Sequence, residues 1–116
     1  MEISSTVARE EGTLVVQCVF TDEAGSAVSP NTLTWTLSDR QGTIINSREN
    51  EVVPGVDIAS TTYIVLSGND LAFLSTEVGA EAERIFTLKG TYDSTYGNDL
   101  PLNYEVMFYI PNLVNV

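Results

Sequence analysis

The sequence predicts an all-β domain: a two-sheet sandwich of about seven strands with one short helical turn. Three observations predict it. Apolar and polar residues alternate with a period of two along most of the chain. The alternating stretches are short and are separated by Gly, Pro, Asn and Asp turn signals. No strand–helix–strand unit interrupts them, so each strand must bury one face against a second sheet. The chain has 116 residues. It reads as a single domain, residues 1–116, with no repeat or linker, and it buries roughly two-thirds of its unfolded surface without needing a disulfide or metal.

The elements follow in order. "TLVVQCVFTD" sets Leu14, Val16, Cys18 and Phe20 on one face and Thr13, Val15, Gln17 and Val19 on the other. "EAGSAVSP" is a loop broken by Gly25 and Pro30. In "TLTWTLS", Leu33, Trp35 and Leu37 face inward, while threonines, which tolerate water on a strand, face out. "SDRQG" turns the chain at Gly42, and "TIIN" is the return strand of a hairpin. Pro54 and Gly55 mark "RENEVVPGVDIAS" as a bend or a protected edge. "STTYIVLSG" is a strand. "NDLAFLSTE" is the one helical piece, capped by Ser67 or Asn69, with Leu71 and Leu74 on one face. "RIFTLKGTY" alternates Phe86, Leu88, Gly90 and Tyr92 inward. "DSTYGNDLP" is a turn-rich loop. "LNYEVMFYI" places Leu102, Tyr104, Val106, Phe108 and Ile110 on one face, and Pro111 ends it. The predicted core centres on Cys18, Trp35, Leu88 and Phe108, with Trp35 packed against Cys18.

Charge and composition exclude several functions. The net charge is −11, from 16 acids and 5 bases. Arg9, Arg40, Arg48, Arg84 and Lys89 cannot assemble a footprint for phosphates, so neither nucleic acid nor an acidic membrane surface is an expected partner. There is no histidine, which removes the commonest general base and metal ligand. Cys18 has no disulfide partner and sits in an apolar run, so it reads as a small buried hydrophobe. "MEISSTVARE" has no basic or apolar signal region, and no apolar run approaches a membrane span.

Candidate chemistry is sparse. No Ser-x-x-Lys spacing, phosphate loop or nucleophile–base pair occurs. The acid pairs Asp22 and Glu23, Asp93 and Asp99, and Glu81 and Glu83 lie in or beside turns, so no catalytic residue and no cofactor is expected. "YDSTYGND" offers Asp93, Ser94, Asn98 and Asp99 as oxygen ligands for calcium. Its spacing is not that of an EF-hand, and turn formation through the backbone is the favoured reading. Tyr96 in a loop and Tyr109, pointing opposite to Phe108, are candidate partner contacts. Leu113, Val114 and Val116 join them as apolar residues near the carboxyl end, buried on the domain or on a partner. The expected mode of action is assembly through an edge strand or a terminal segment, not through a pocket.

Two resemblances add to this. Cys18 on one strand and Trp35 on the next are similar to the immunoglobulin pattern. The second cysteine is missing, and Phe86 or Leu88 would fill its place. The stretches "TDEAGSAVSPNTLTWTLSDRQGTIIN", "VLSGNDLA" and "GTYDSTYGNDLPL" resemble small immunoglobulin-like virion proteins of tailed bacteriophages, and the likeness runs from Thr13 to near the end. It implies a non-enzymatic structural protein: a capsid decoration, or a neck or tail accessory. It implies multiple copies contacting other virion proteins after assembly in the host cytoplasm. The alternatives are a bacterial surface or adhesion module and a carbohydrate-binding accessory domain.

Overall fold

The computed structural model describes residues 2–5, 8–73 and 81–111. Among the described residues there are seven strands: β1 (Glu2–Ser5), β2 (Thr13–Val19), β3 (Thr32–Ser38), β4 (Glu51–Val52), β5 (Thr61–Ser67), β6 (Glu81–Ser94) and β7 (Gly97–Pro111). One sheet has the order β1-β2-β5 and the other β4-β3-β6-β7, and every pairing is antiparallel. Two antiparallel sheets packed on one core make an all-β sandwich. The fold class read from periodicity therefore holds.

The core is the set of inward residues that alternation picked out. Leu14, Val16 and Cys18 of β2 meet Leu33, Trp35 and Leu37 of β3, Ile64 and Leu66 of β5, and Phe86 and Leu88 of β6 in one cluster. Burial pushes the Cys18 thiol up to about 11, which leaves it un-ionised and inert. Trp35 is 8% exposed. Cys18 and Trp35 lie in the same buried cluster. Trp35 stacks on Phe86 at 5.7 Å, and the Arg48 guanidinium lies 5.5 Å from the Trp35 ring. Phe86 and Leu88, opposite Leu37 and Trp35 across β3 and β6, are fully buried.

Arg48 leads to the other polar anchor. Its Nε donates to Asp70 Oδ1 at 2.8 Å, and Asn46 Nδ2 donates to the same oxygen at 2.9 Å. The Ser67 N–H donates to Asp70 Oδ2 at 3.2 Å. Burial pushes the Asp70 carboxyl up, but Arg48, Asn46 and the Ser67 N–H outweigh it and hold the carboxyl below its ordinary value. A buried cation, Arg84, crosses the inner side of β6. Its guanidinium donates to the carbonyls of Glu83 and Ala72. A charged residue at an inward position is contrary to alternation, and the sequence pattern missed it.

Several elements differ from expectation, each for a local reason. The amino-terminal stretch is not a free arm: β1 pairs with β2 from Glu2↔Val19 to Ser5↔Val16. "TIIN" forms only one bridge, Ser38↔Ile44. Asn46 and Ser47 take left-handed conformations, φ 53° and 57°, which extended backbone cannot include. β3 pairs instead with β4, at Thr34↔Val52 and Trp35↔Glu51. In "NDLAFLSTE" the described residues form one 3₁₀ turn, Gly68–Leu71, which starts with the Asp70 side chain accepting the Ser67 N–H and ends at Ala72 in extended conformation; Leu74 lies outside the described residues. "DSTYGNDLP" is no loop. β6 runs to Ser94 and β7 starts at Gly97, with a bulge at Tyr92–Ser94. Pro54 does end β4, at the edge of its sheet.

The two arms of the β6–β7 hairpin have 14 and 15 residues. At about 3.4 Å per residue, β7 alone accounts for the long axis of the 51 × 23 × 23 Å molecule.

Two outcomes test this account. A Cβ on Gly90 would stand 2.1 Å from the Thr32 carbonyl oxygen, a backbone atom that cannot swing away. Gly90→Ala is expected to cost about 1–3 kcal/mol in urea unfolding. Asp70→Asn is expected to cost about 1–2 kcal/mol at neutral pH, since Arg48 is partly solvated. The Asp70 carboxyl is depressed, so its contribution is complete above the unfolded value of 3.8 and is lost as pH falls through the lower folded value. The gap between wild type and variant should therefore close in acid.

Candidate functional site

Two regions gather the residues singled out from sequence: the tip of the β6–β7 hairpin and the outer edge of β7.

At the tip, strand geometry brings Asp93 and Asp99 together across the bulge. Asp93 Oδ1 accepts the Asp99 N–H at 2.8 Å and Asn31 Nδ2 at 2.8 Å. Asn31 Nδ2 also donates to Asp99 Oδ1 at 3.1 Å. The Asp99 N–H and the Asn31 amide hold the Asp93 carboxyl below its ordinary value. Asp99 sits at φ 51°, a conformation that Asp tolerates better than most residues. Beside it the Tyr92 hydroxyl donates to Glu23 Oε1 at 2.6 Å, and Ser94 Oγ lies 3.3 Å from the same oxygen. That bond lowers the Glu23 carboxyl and raises the Tyr92 hydroxyl. The β2–β3 connection is thereby pinned to the hairpin.

The candidate calcium ligands therefore have partners that a cation would have to displace. The Asn31 amide already presents the positive end of a dipole between the two carboxylates. Asn98 is exposed on the same turn. Among the described residues no group of three or more Asp, Glu, Cys or His side chains converges as a metal site. Tyr96 stands at the turn itself, 78% exposed.

The edge of β7 follows from hydrogen-bond parity. The Val53 N–H donates to the Leu33 carbonyl, and the Ile45 N–H to that of Leu37. Odd-numbered residues of β3 thus turn their backbone groups away from β6, and even-numbered ones turn theirs toward it. Thr34 and Thr36 face Lys89 and Thr87. Odd residues of β6 are thereby committed to β3, and even ones to β7. Leu88, Phe86 and Arg84 pair with Tyr104, Val106 and Phe108. The backbone groups of Asn103, Glu105, Met107 and Tyr109 consequently point off the sheet, where no described strand pairs with them.

Pro101 and Pro111 share that parity, so their missing N–H groups would also have faced outward. Between them lie nine residues with one charge, Glu105, and no lysine or further proline to blunt the edge. Edge position also explains two departures from the predicted core. Tyr104 is 39% exposed and Phe108 only half-buried, because no strand flanks β7 on its outer side. Met107 and Tyr109 are 48% and 46% exposed on the opposite face. Leu113, Val114 and Val116 lie outside the described residues.

The other side of the sandwich has a different character. Between β4 and β5 runs a groove of about 340 Å³, lined by Trp35, Val52, Pro54, Asp57, Tyr63 and Val65 among others. The 3₁₀ turn Gly55–Asp57 stands beside it, so the β5 edge faces a proline and a carboxylate across the groove.

Parity and edge status were invisible in the sequence, although the two prolines bracketing an apolar run were a readable signal. No protein-family model, curated protein or solved structure matches this chain.

Adding calcium at millimolar concentration should leave the melting temperature unchanged. Asn31→Ala, which leaves two carboxylates facing one another, should lower that temperature by removing hydrogen bonds worth about 1 kcal/mol together. A calcium-dependent rise in the wild-type protein would overturn this account of the tip.

Proposed function

We propose that the chain is a non-enzymatic structural protein of a tailed-phage virion, acting by protein–protein assembly. One observation carries the assembly part: the long hairpin ends in an edge strand with nine consecutive residues that hold no lysine or proline and only one charge, Glu105. A strand of that length with exposed tyrosines and a methionine suits contact with other proteins. The sequence resemblance to immunoglobulin-like phage proteins supplies the virion part. Its partners in this reading are capsid, neck or tail proteins, with the chain present in many copies.

Electrostatics support protein partners over nucleic acid. Of five bases, Arg40 pairs with Glu83 at 3.0 Å, Arg48 with Asp70 at 2.8 Å, and Arg84 is buried. No basic stripe is left for phosphates. No helix among the described residues is long and apolar enough to cross a membrane. The groove between β4 and β5 is what a carbohydrate-binding reading would use. Its one well-exposed ring is Tyr63, since Trp35 offers almost no open face. That is a poor stacking platform, and protein contact is the better reading.

Mass spectrometry of gradient-purified particles tests the proposal. The chain is expected at a fixed ratio to the major capsid or tail protein. Its confinement to the soluble lysate, with no particle-bound fraction, would refute a virion role.

A further inference from the structure

β7 carries a proline at each end of its bare edge, and that symmetry bears on what fits there. We propose that this edge pairs antiparallel with the same edge of a second copy, in the register that sets Val106 opposite Val106. The result is a two-fold dimer with one sheet running through both copies. The proposal goes beyond the virion reading and does not rest on it.

Backbone chemistry restricts the register, and side chains select within it. Only odd-numbered residues present groups to the edge, so only odd-to-odd registers form a ladder. With Val106 on the axis, Asn103 exchanges hydrogen bonds with Tyr109 of the second copy, and Glu105 with Met107 of the second copy. Pro101 then lies opposite Pro111 of the second copy. Neither has an N–H, so no hydrogen bond forms at that pair and the ladder stops at both ends. Moving the axis to Glu105 sets two carboxylates face to face, a repulsive pair. Moving the axis to Met107 sets Tyr104 opposite Ile110 and Val106 opposite Phe108, so Tyr104 and Phe108 no longer meet.

Side chains favour the same register. On the inner face, Tyr104 meets Phe108 of the second copy, and the two Val106 side chains meet on the axis. These are non-hydrogen-bonded pairs, where side chains approach closest. They are also the inward residues of β7 that the fold leaves incompletely covered. An apolar groove lined by Ile3, Leu14, Val16, Phe86, Val106 and Phe108 continues the surface they would extend. Charge permits the approach: of the chain's 16 acids, Glu105 alone lies between the prolines. The competing edge, on β5, has Pro54 and Asp57 beside it, and a second sheet would have to displace them.

Sedimentation of the full chain over a concentration series tests the dimer. A reversible species at twice the 12.6 kDa monomer mass is expected. Met107→Pro removes an edge-facing N–H and no bond within the protomer. It should weaken association at least about tenfold while the circular dichroism of the fold is kept. Tyr109→Pro is the second variant, should the first not fold. Val106→Cys should cross-link to itself under mild oxidation, because Cα atoms of a non-hydrogen-bonded pair lie about 4.5 Å apart. Asn103→Cys, opposite Tyr109, should not. A chain that is monomeric throughout overturns the proposal. So does a dimer that survives both proline variants, or one that is lost in Val65→Pro, which would belong to β5. Self-cross-linking through Asn103→Cys and not Val106→Cys overturns the register. Absence of the chain from virus particles would refute the virion role and leave the dimer untouched.

Discussion

The Asp70 carboxylate is the constraint on which the sandwich depends. It sits just after β5 in one sheet, and its partners Arg48 and Asn46 lie in the connection from β3 to β4 in the other. The apolar cores of two sheets attract without direction, so burial alone does not fix how they are set against each other. A buried carboxylate with three donors aimed at it does. Burying that charge opposes folding, and the hydrogen bonds from Arg48, Asn46 and Ser67 offset it only in one arrangement. Arg48 then lies over Trp35, whose ring stacks on Phe86 at the centre of the core. One polar contact is thus linked directly to the aromatic pair within the core.

The long hairpin is the complementary feature. Its inner portion is held between β3 and the core, and its tip is held by Asn31 and Glu23 from the loop between β2 and β3. Those contacts occupy the acids at the tip and give the outer arm a rigid support. β7 is therefore presented as a straight, supported edge whose backbone groups are ordered and unpaired among the described residues. A preorganised edge loses little conformational entropy on pairing, which is what makes such a strand an assembly element. The β4 edge is two residues long and ends in Pro54, so the two ends of one sheet differ in kind.

The sequence by itself determined the fold class, the inward residues of β2 and β3 and most of those of β6, and the inert character of Cys18. Strand alternation has a period of two, and a buried face reports itself residue by residue. The exposure of Tyr96 and Tyr109 was legible for the same reason. Tertiary structure alone decided the rest. Whether Tyr104 and Phe108 are covered depends on which strand becomes an edge, and alternation is identical in edge and central strands. "DSTYGNDLP" has the composition of a loop, yet long-range bonds from Asn31 hold it as paired strand. "TIIN" has the composition of a strand, yet its partner's edge goes to Glu51 and Val52, because left-handed Asn46 and Ser47 turn the chain away. Arg84 and Asp70 are charges that composition assigns to the surface. Their burial required acceptors and donors from Ala72, Asn46 and Arg48, which only folding brings within hydrogen-bond distance.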